Sequence, residues 1–246
     1  MLASLKDHPF AVEAFFKHSL VLTFAAPKEV LEPFLPECLA LDTHDDQWGF
    51  LAVALVDTRH LRPKGFPTWL GNDFMLVGYR LFVRYTTNAG KRLRGLYILK
   101  SETNKRLMAL TGNVFTHYNY TLTDISSKPG DNTLRFHSAK SDFDITVDRH
   151  PEAAVLPAGS PFADWKTARR FAGPLPFTFT YEPEKKEVLI IEGVRENWTP
   201  KPVNVVHQHI GFVEKLNLKG LVLANAFIIE NIPYLWEKGK KERWNG

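Results

Sequence analysis

The strongest constraint on the fold is a succession of short apolar-rich segments, each closed by turn-forming residues. The segment Phe143-Asp144-Ile145-Thr146-Val147 is the cleanest. Phe143, Ile145 and Val147 share one face, and Asp142, Asp144, Thr146 and Asp148 share the other. That period of two belongs to an antiparallel strand with one solvated side. Asn88-Ala89-Gly90 reads as a hairpin turn between strands at residues 74–87 and 91–101. Lys128-Pro129-Gly130-Asp131 reads as another turn. Further strands are expected at residues 20–24, 39–42, 48–57, 118–125, 134–136, 203–213 and 221–229. A hairpin joins 177–181 to 187–194 around Glu182-Pro183-Glu184-Lys185. Helices are fewer: 9–16, one opened by Pro27 with an apolar stripe of Val30, Leu31 and Phe34, 105–115, and 162–171. Residues 58–73 and 151–161 read as loops. No repeat or biased linker divides the chain. The reading is therefore one α+β domain over residues 1–246, a mostly antiparallel curved or closed β-barrel with a few peripheral helices.

With 18 Phe, 7 Tyr and 6 Trp the chain is rich in aromatics, residues that suit strands and line ligand pockets. The one cysteine, Cys38, admits no internal disulfide, and the reading is a reducing, cytoplasmic setting. The N-terminus shows no signal-peptide pattern and no apolar run reaches the length of a membrane span, so no membrane association is expected. The net charge of +4 is spread over scattered residues, so no nucleic-acid partner is expected, and a basic nucleic-acid or partner-binding module ranks last. Nucleophile-elbow, phosphate-loop, dinucleotide and zinc-finger spacings are absent, and no cofactor is expected.

One strand–helix–strand unit spans residues 96–125. The helix ends in Leu110-Thr111-Gly112-Asn113, and Asn119-Tyr120-Thr121 follows. Upstream lie Leu20-Val21-Leu22-Thr23-Phe24 and the helix Lys28 to Phe34 ending at Pro36, and downstream Gly173-Pro174-Leu175-Pro176-Phe177. Together these resemble the acetoacetate decarboxylase-like superfamily, and more closely its branch of unknown function. The resemblance implies a barrel with an enclosed small-molecule pocket. In the decarboxylase a Gly-Arg-Glu segment and a Pro-Lys-Lys run stand where this chain has Gly112-Asn113 and Asn119-Tyr120-Thr121, and the first lysine of that run forms the Schiff base. Leu51 stands where the decarboxylase has an acid. A Schiff-base reaction is thus disfavoured. Lys185-Lys186 lies in a turn beside Glu184 and Glu187. Lys100, taken to share a face with Leu96, Ile98 and Glu102, is expected to pair with Glu102.

The candidate ligand-binding residues are Arg84, Tyr118, Tyr120, Glu192, His207 and Asn225. Glu192 aligns with Val188, Ile190 and Val194, and Asn225 with Leu223, Phe227 and Ile229, so each is a polar group on an apolar face that needs partners. Arg80 and Arg84 share a face around Phe82 and could hold a carboxylate in a fork, or be solvated. His207 and His209 point one way, a weak metal signal. Tyr118 and Tyr120 alternate with His117 and Asn119, and by analogy the tyrosines line the pocket. The expected function is binding of a small polar or carboxylate ligand. Acid/base catalysis of lyase or hydrolase type in the same pocket is the alternative, and a homo-oligomer is possible.

Overall fold

A computed structural model describes residues 5–150, 155–173, 175–196 and 198–246. Its strands in chain order are β1 (Val12–Pro27), β2 (Ala40–Leu41), β3 (Trp48–Pro63), β4 (Asn72–Thr86), β5 (Arg92–Thr103), β6 (Tyr120–Leu122), β7 (Ser126–Pro129), β8 (Thr133–Ser138), β9 (Phe143–Asp148), β10 (Phe177–Glu182), β11 (Glu187–Arg195), β12 (Lys201–Pro202), β13 (Asn204–Ile210), β14 (Val222–Trp236) and β15 (Lys240–Arg243). Short helices are α1 (Lys28–Leu31), α2 (Arg106–Phe115), α3 (Trp165–Phe171) and α4 (Gly211–Lys215). The expectation of a mostly β, α+β chain on a curved sheet holds.

The large sheet runs β14-β1-β3-β4-β5-β10-β11, and β11 pairs back onto β14, so the strands form a ring. All these pairings are antiparallel except β5 with β10. A smaller antiparallel sheet, β13-β9-β8-β7, covers part of the outside. Alternation along the long strands sorts their side chains to two sides. Leu20, Leu22, Val53, Leu55, Tyr79 and Leu81 point outward and pack with Phe136, Phe143, Ile145 and Val147 of the small sheet. The inward row is broken by bulges and by small residues, and it surrounds a cavity.

Several boundaries differ from those read in the sequence. Residues 12–16 are strand, not helix, because Val12 and Phe16 pair with both β14 and β3 and the two ladders override local preference. Strand β3 runs on to Pro63 past a bulge at His60, whose φ is 54°, so the loop before β4 is shorter than expected. Lys128 and Pro129 pair in β7, which moves the turn to Gly130 and beyond. The strand expected at 203–213 ends at Ile210, where α4 begins. Of the loop read at 151–161, residues 151–154 lie outside the described residues, as does Pro174 of the motif at 173–177. Among the described residues, no helix is long and apolar enough to cross a membrane.

Candidate functional site

The cavity inside the ring has a volume of about 370 Å³, within the usual range for a small-molecule site. Its long wall is apolar: Val21, Ala54, Val56, Leu76, Ile98 and Ile229 all face it. One end is stopped by an aromatic cluster. Phe50 stacks on Phe162 at 5.4 Å between ring centroids and meets Phe171 at 4.9 Å and Phe82 at 5.7 Å. The other end is a mouth bounded by Pro9, Phe10, Leu70, Leu107 and Phe115.

The polar groups gather inside. Arg80 on β4 and Arg195 on β11 both line the cavity, and the Nε of each is buried without a hydrogen-bond partner among the described residues. Neither forms an ion pair with a described residue. The Arg195 guanidinium lies over the Trp198 ring at 4.1 Å and the Tyr234 ring at 5.4 Å, and its Nη2 donates to the Leu175 carbonyl at 3.1 Å. Burial, with the like charge of Arg80, lowers its pKa. A guanidinium without a counter-ion whose Nε is buried and lacks an acceptor is costly, so two half-buried arginines of this kind in one hollow are the site's defining feature.

Three phenols accompany them. Burial pushes the Tyr118 hydroxyl well above the usual phenol range, with Thr178 and Arg80 pulling the other way. Burial pushes Tyr120 up to about 12, with Arg80 pulling the other way. Tyr234 completes the group. Glycines make the room. A β-carbon at Gly112 would meet the Tyr120 ring at 2.4 Å, and one at Gly193 would meet the Tyr234 hydroxyl at 2.1 Å. The peptide of Tyr120 is fixed by Asn113, whose Oδ1 accepts from its N–H at 2.7 Å and whose Nδ2 donates to its carbonyl at 2.9 Å. Nearer the mouth, His8 is buried, and desolvation holds its imidazole below the ordinary histidine pKa.

Of the residues singled out in the sequence, Tyr118 and Tyr120 line the cavity. Arg84 lies further along β4, where Asp42 at 3.5 Å and the Leu41 carbonyl hold it. Glu192 is half-buried, opposite Phe177, and is not on the cavity wall. His207 is exposed on the small sheet. Its neighbour His209 sits between Asp142 at 2.9 Å and Glu214 at 2.8 Å, so both ring nitrogens are already engaged. Asn225 is fully buried opposite Thr23, is not among the residues lining the cavity, and neither of its amide atoms has a described partner. Arg80 was one of two readings in the sequence, whereas Arg195, Tyr234 and Trp198 carried no signal as site residues, since they come from distant segments of the chain.

Lys100 corrects the face assigned to it. A register shift between Tyr79 and Arg80 sets Lys100 opposite Tyr79 and Ile98 opposite Arg80, so the two fall on opposite sides of the sheet. Lys100 reaches Glu102 at 2.9 Å, the pairing expected, and Glu102 also accepts from Ser141 at 2.9 Å. No lysine lines the cavity among the described residues.

A second cluster, Asp7, His117 and Glu182, brings ligand-type atoms together. Lys241 fills it: the ammonium lies 2.9 Å from Asp7, 2.8 Å from Glu187 and 3.7 Å from Glu182. These are the contacts of an ion-pair clasp tying the last strand to the N-terminal segment.

Comparison with solved structures finds the same fold. The acetoacetate decarboxylase of Legionella pneumophila superposes with a TM-score of 0.62 at 11% identity, over 95% of this chain and 88% of that one. An acetoacetate decarboxylase-like enzyme from Sphingomonas wittichii gives 0.57 at 11% identity, over 98% and 94%. The enduracididine biosynthesis enzyme MppR, complexed with pyruvate, gives 0.51 at 9% identity, over 96% and 89%. No curated protein matches the sequence. The model of the DUF2071 family, described as an uncharacterized conserved protein, matches residues 13–230. With most of its length inside that match, and with the acetoacetate decarboxylase-like fold, the chain belongs to the DUF2071 family.

Proposed function

We propose that this protein binds a small organic carboxylate in the cavity of its strand ring, without imine chemistry. The observation that carries the reading is the pair Arg80 and Arg195, two half-buried arginines, each with a buried, unpartnered Nε, facing one hollow with no described counter-ion. A carboxylate there would supply the missing acceptors in charge-assisted bonds. Burial raises the pKa of Tyr118 and Tyr120, so both phenols keep their protons at neutral pH and can donate to the same anion, and Tyr234 lines the same hollow. The absence of a lysine from the described wall, and the engagement of Lys100 by Glu102, support binding without a covalent amine adduct.

The test is calorimetric titration of short carboxylates against the wild type and against Arg80→Gln and Arg195→Gln. Binding that weakens roughly ten- to a hundredfold in each variant, the worth of a charge-assisted hydrogen bond, is expected. Carboxylate binding indifferent to both substitutions overturns the reading.

A further inference from the structure

The cavity is longer than a short acid needs, and its polar and apolar parts are separated along its length. Arg80 sits toward the end stopped by Phe50, Phe82, Phe162 and Phe171, so no ligand body extends past it in that direction. Its guanidinium lies over Gly78: a β-carbon there would be 2.8 Å from Nε and 2.9 Å from one terminal nitrogen. From Gly78 the same strand climbs to Asn72, also on the cavity wall. At roughly 3.3 Å per residue that rise is about 20 Å, or about 15 Å along the ring axis for a strand tilt of roughly 40°.

The walls over this distance are mainly hydrocarbon: Val56, Leu76 and Ile229, then Phe74, then Leu70 and Leu107. The cation at the mouth, Arg62, is already neutralised by Glu13 at 2.7 Å. The lip is apolar too. Leu70 and Leu107 are about half exposed, and Trp69 beside them is 79% exposed. Phe10 packs edge-on against Phe115 at 5.2 Å across the opening. A short acid would leave this stretch filled with water against hydrocarbon, whereas an acyl chain would bury it.

We infer that the ligand is an amphipathic carboxylate, its head on Arg80 and Arg195 and an unbranched acyl tail running up the wall to the Leu70–Leu107 lip. A saturated chain advances roughly 1.25 Å per carbon at ordinary bond lengths and angles, so the path takes about twelve carbons. This assignment rests on the carboxylate reading above and adds the tail.

The experiment is a titration of straight-chain alkanoates from butanoate to tetradecanoate, each below its micelle concentration, with the matching alkanols as uncharged controls. Affinity is expected to rise about three- to fourfold per added carbon, the worth of one buried methylene, and to level off near dodecanoate. Arg80→Gln should lower every member of the series by a similar factor. Leu107→Gln, at a half-exposed lip position, should weaken the longest members and leave butanoate unchanged. Affinity that stays flat with length while still depending on Arg80 overturns the tail and leaves the carboxylate reading standing. Growth with length that is equal for alkanols and indifferent to Arg80→Gln overturns the carboxylate reading. Absence of binding across the series overturns both.

Discussion

Gly78 and Arg80 occupy one seat: the guanidinium of Arg80 folds back over the bare α-carbon of Gly78, close enough that a β-carbon there would lie 2.8 Å from Nε. Gly78→Val should therefore displace the guanidinium. The clash falls on the far end of a flexible side chain, so stability should drop by no more than about 1.5 kcal/mol. Carboxylate affinity should fall by roughly ten- to a hundredfold. Denaturant unfolding and calorimetry on one preparation separate the two effects. A variant that binds as tightly as the wild type would mean that Arg80 does not hold the head group.

Lys100 and Glu102 should behave as a structural pair. Lys100→Met removes one partner from a buried carboxylate and should cost about 1–3 kcal/mol, moderated because Lys100 is partly solvated and Ser141 still donates. The double variant Lys100→Met/Glu102→Leu should recover part of that loss. Borohydride reduction in the presence of pyruvate should leave Lys100 unmodified by mass spectrometry. An adduct there would restore the imine chemistry that the reading sets aside.

Acid should weaken the fold through His8 and His18. Burial lowers the pKa of both in the folded protein, and for His18 the nearby Asp57 only partly offsets it. As pH falls below about 6.5 the unfolded chain takes up protons that these imidazoles resist. Stability is therefore fully present above that pH and declines through the interval down to the lower folded pKa values. Melting temperatures between pH 8 and pH 5 should show the decline, and His8→Gln with His18→Gln should flatten it. An unchanged slope in the double variant would assign the acid sensitivity to other groups.

The Cys38 thiol should be inert in the folded protein. Burial pushes its pKa up to about 12, so almost no thiolate exists at pH 8. Reaction with a disulfide reagent should proceed only as fast as the chain unfolds, with full reactivity in denaturant. Immediate labelling of the native protein would contradict the burial.

Asn225 should be replaceable. Its amide is fully buried without a described partner, so Asn225→Leu, similar in volume, should raise stability by about 1 kcal/mol by removing an unsatisfied polar group. A loss of similar size in denaturant titrations would show that the amide holds a bound water or ligand.

The sheet architecture was legible because strand alternation is a local property, plain in residues 143–147. The cavity was legible only in part. Tyr118 and Tyr120 sit beside each other in sequence, and Arg80 shares a strand face with an apolar neighbour. Arg84 shares that face as well, yet Asp42 from β2's flank claims it, a contact no spacing rule contains. The inward turn of Arg195 depends on Trp198, Tyr234 and the space left by Gly193. The side taken by Lys100 was reversed by one extra residue in β5, since a bulge exchanges the two faces for everything beyond it.

The ring of strands is fastened unevenly. Among the described residues, strand β11 meets β14 through only the pairs Gly193–Trp236, Val194–Leu235 and Arg195–Tyr234, whereas β1 is laced to its neighbours along nearly its whole length. Amide protons along that brief seam should exchange soonest. Because Arg195 belongs to it, an anion clasped by that side chain would act as a rivet, making the wall's tightness a measure of occupancy.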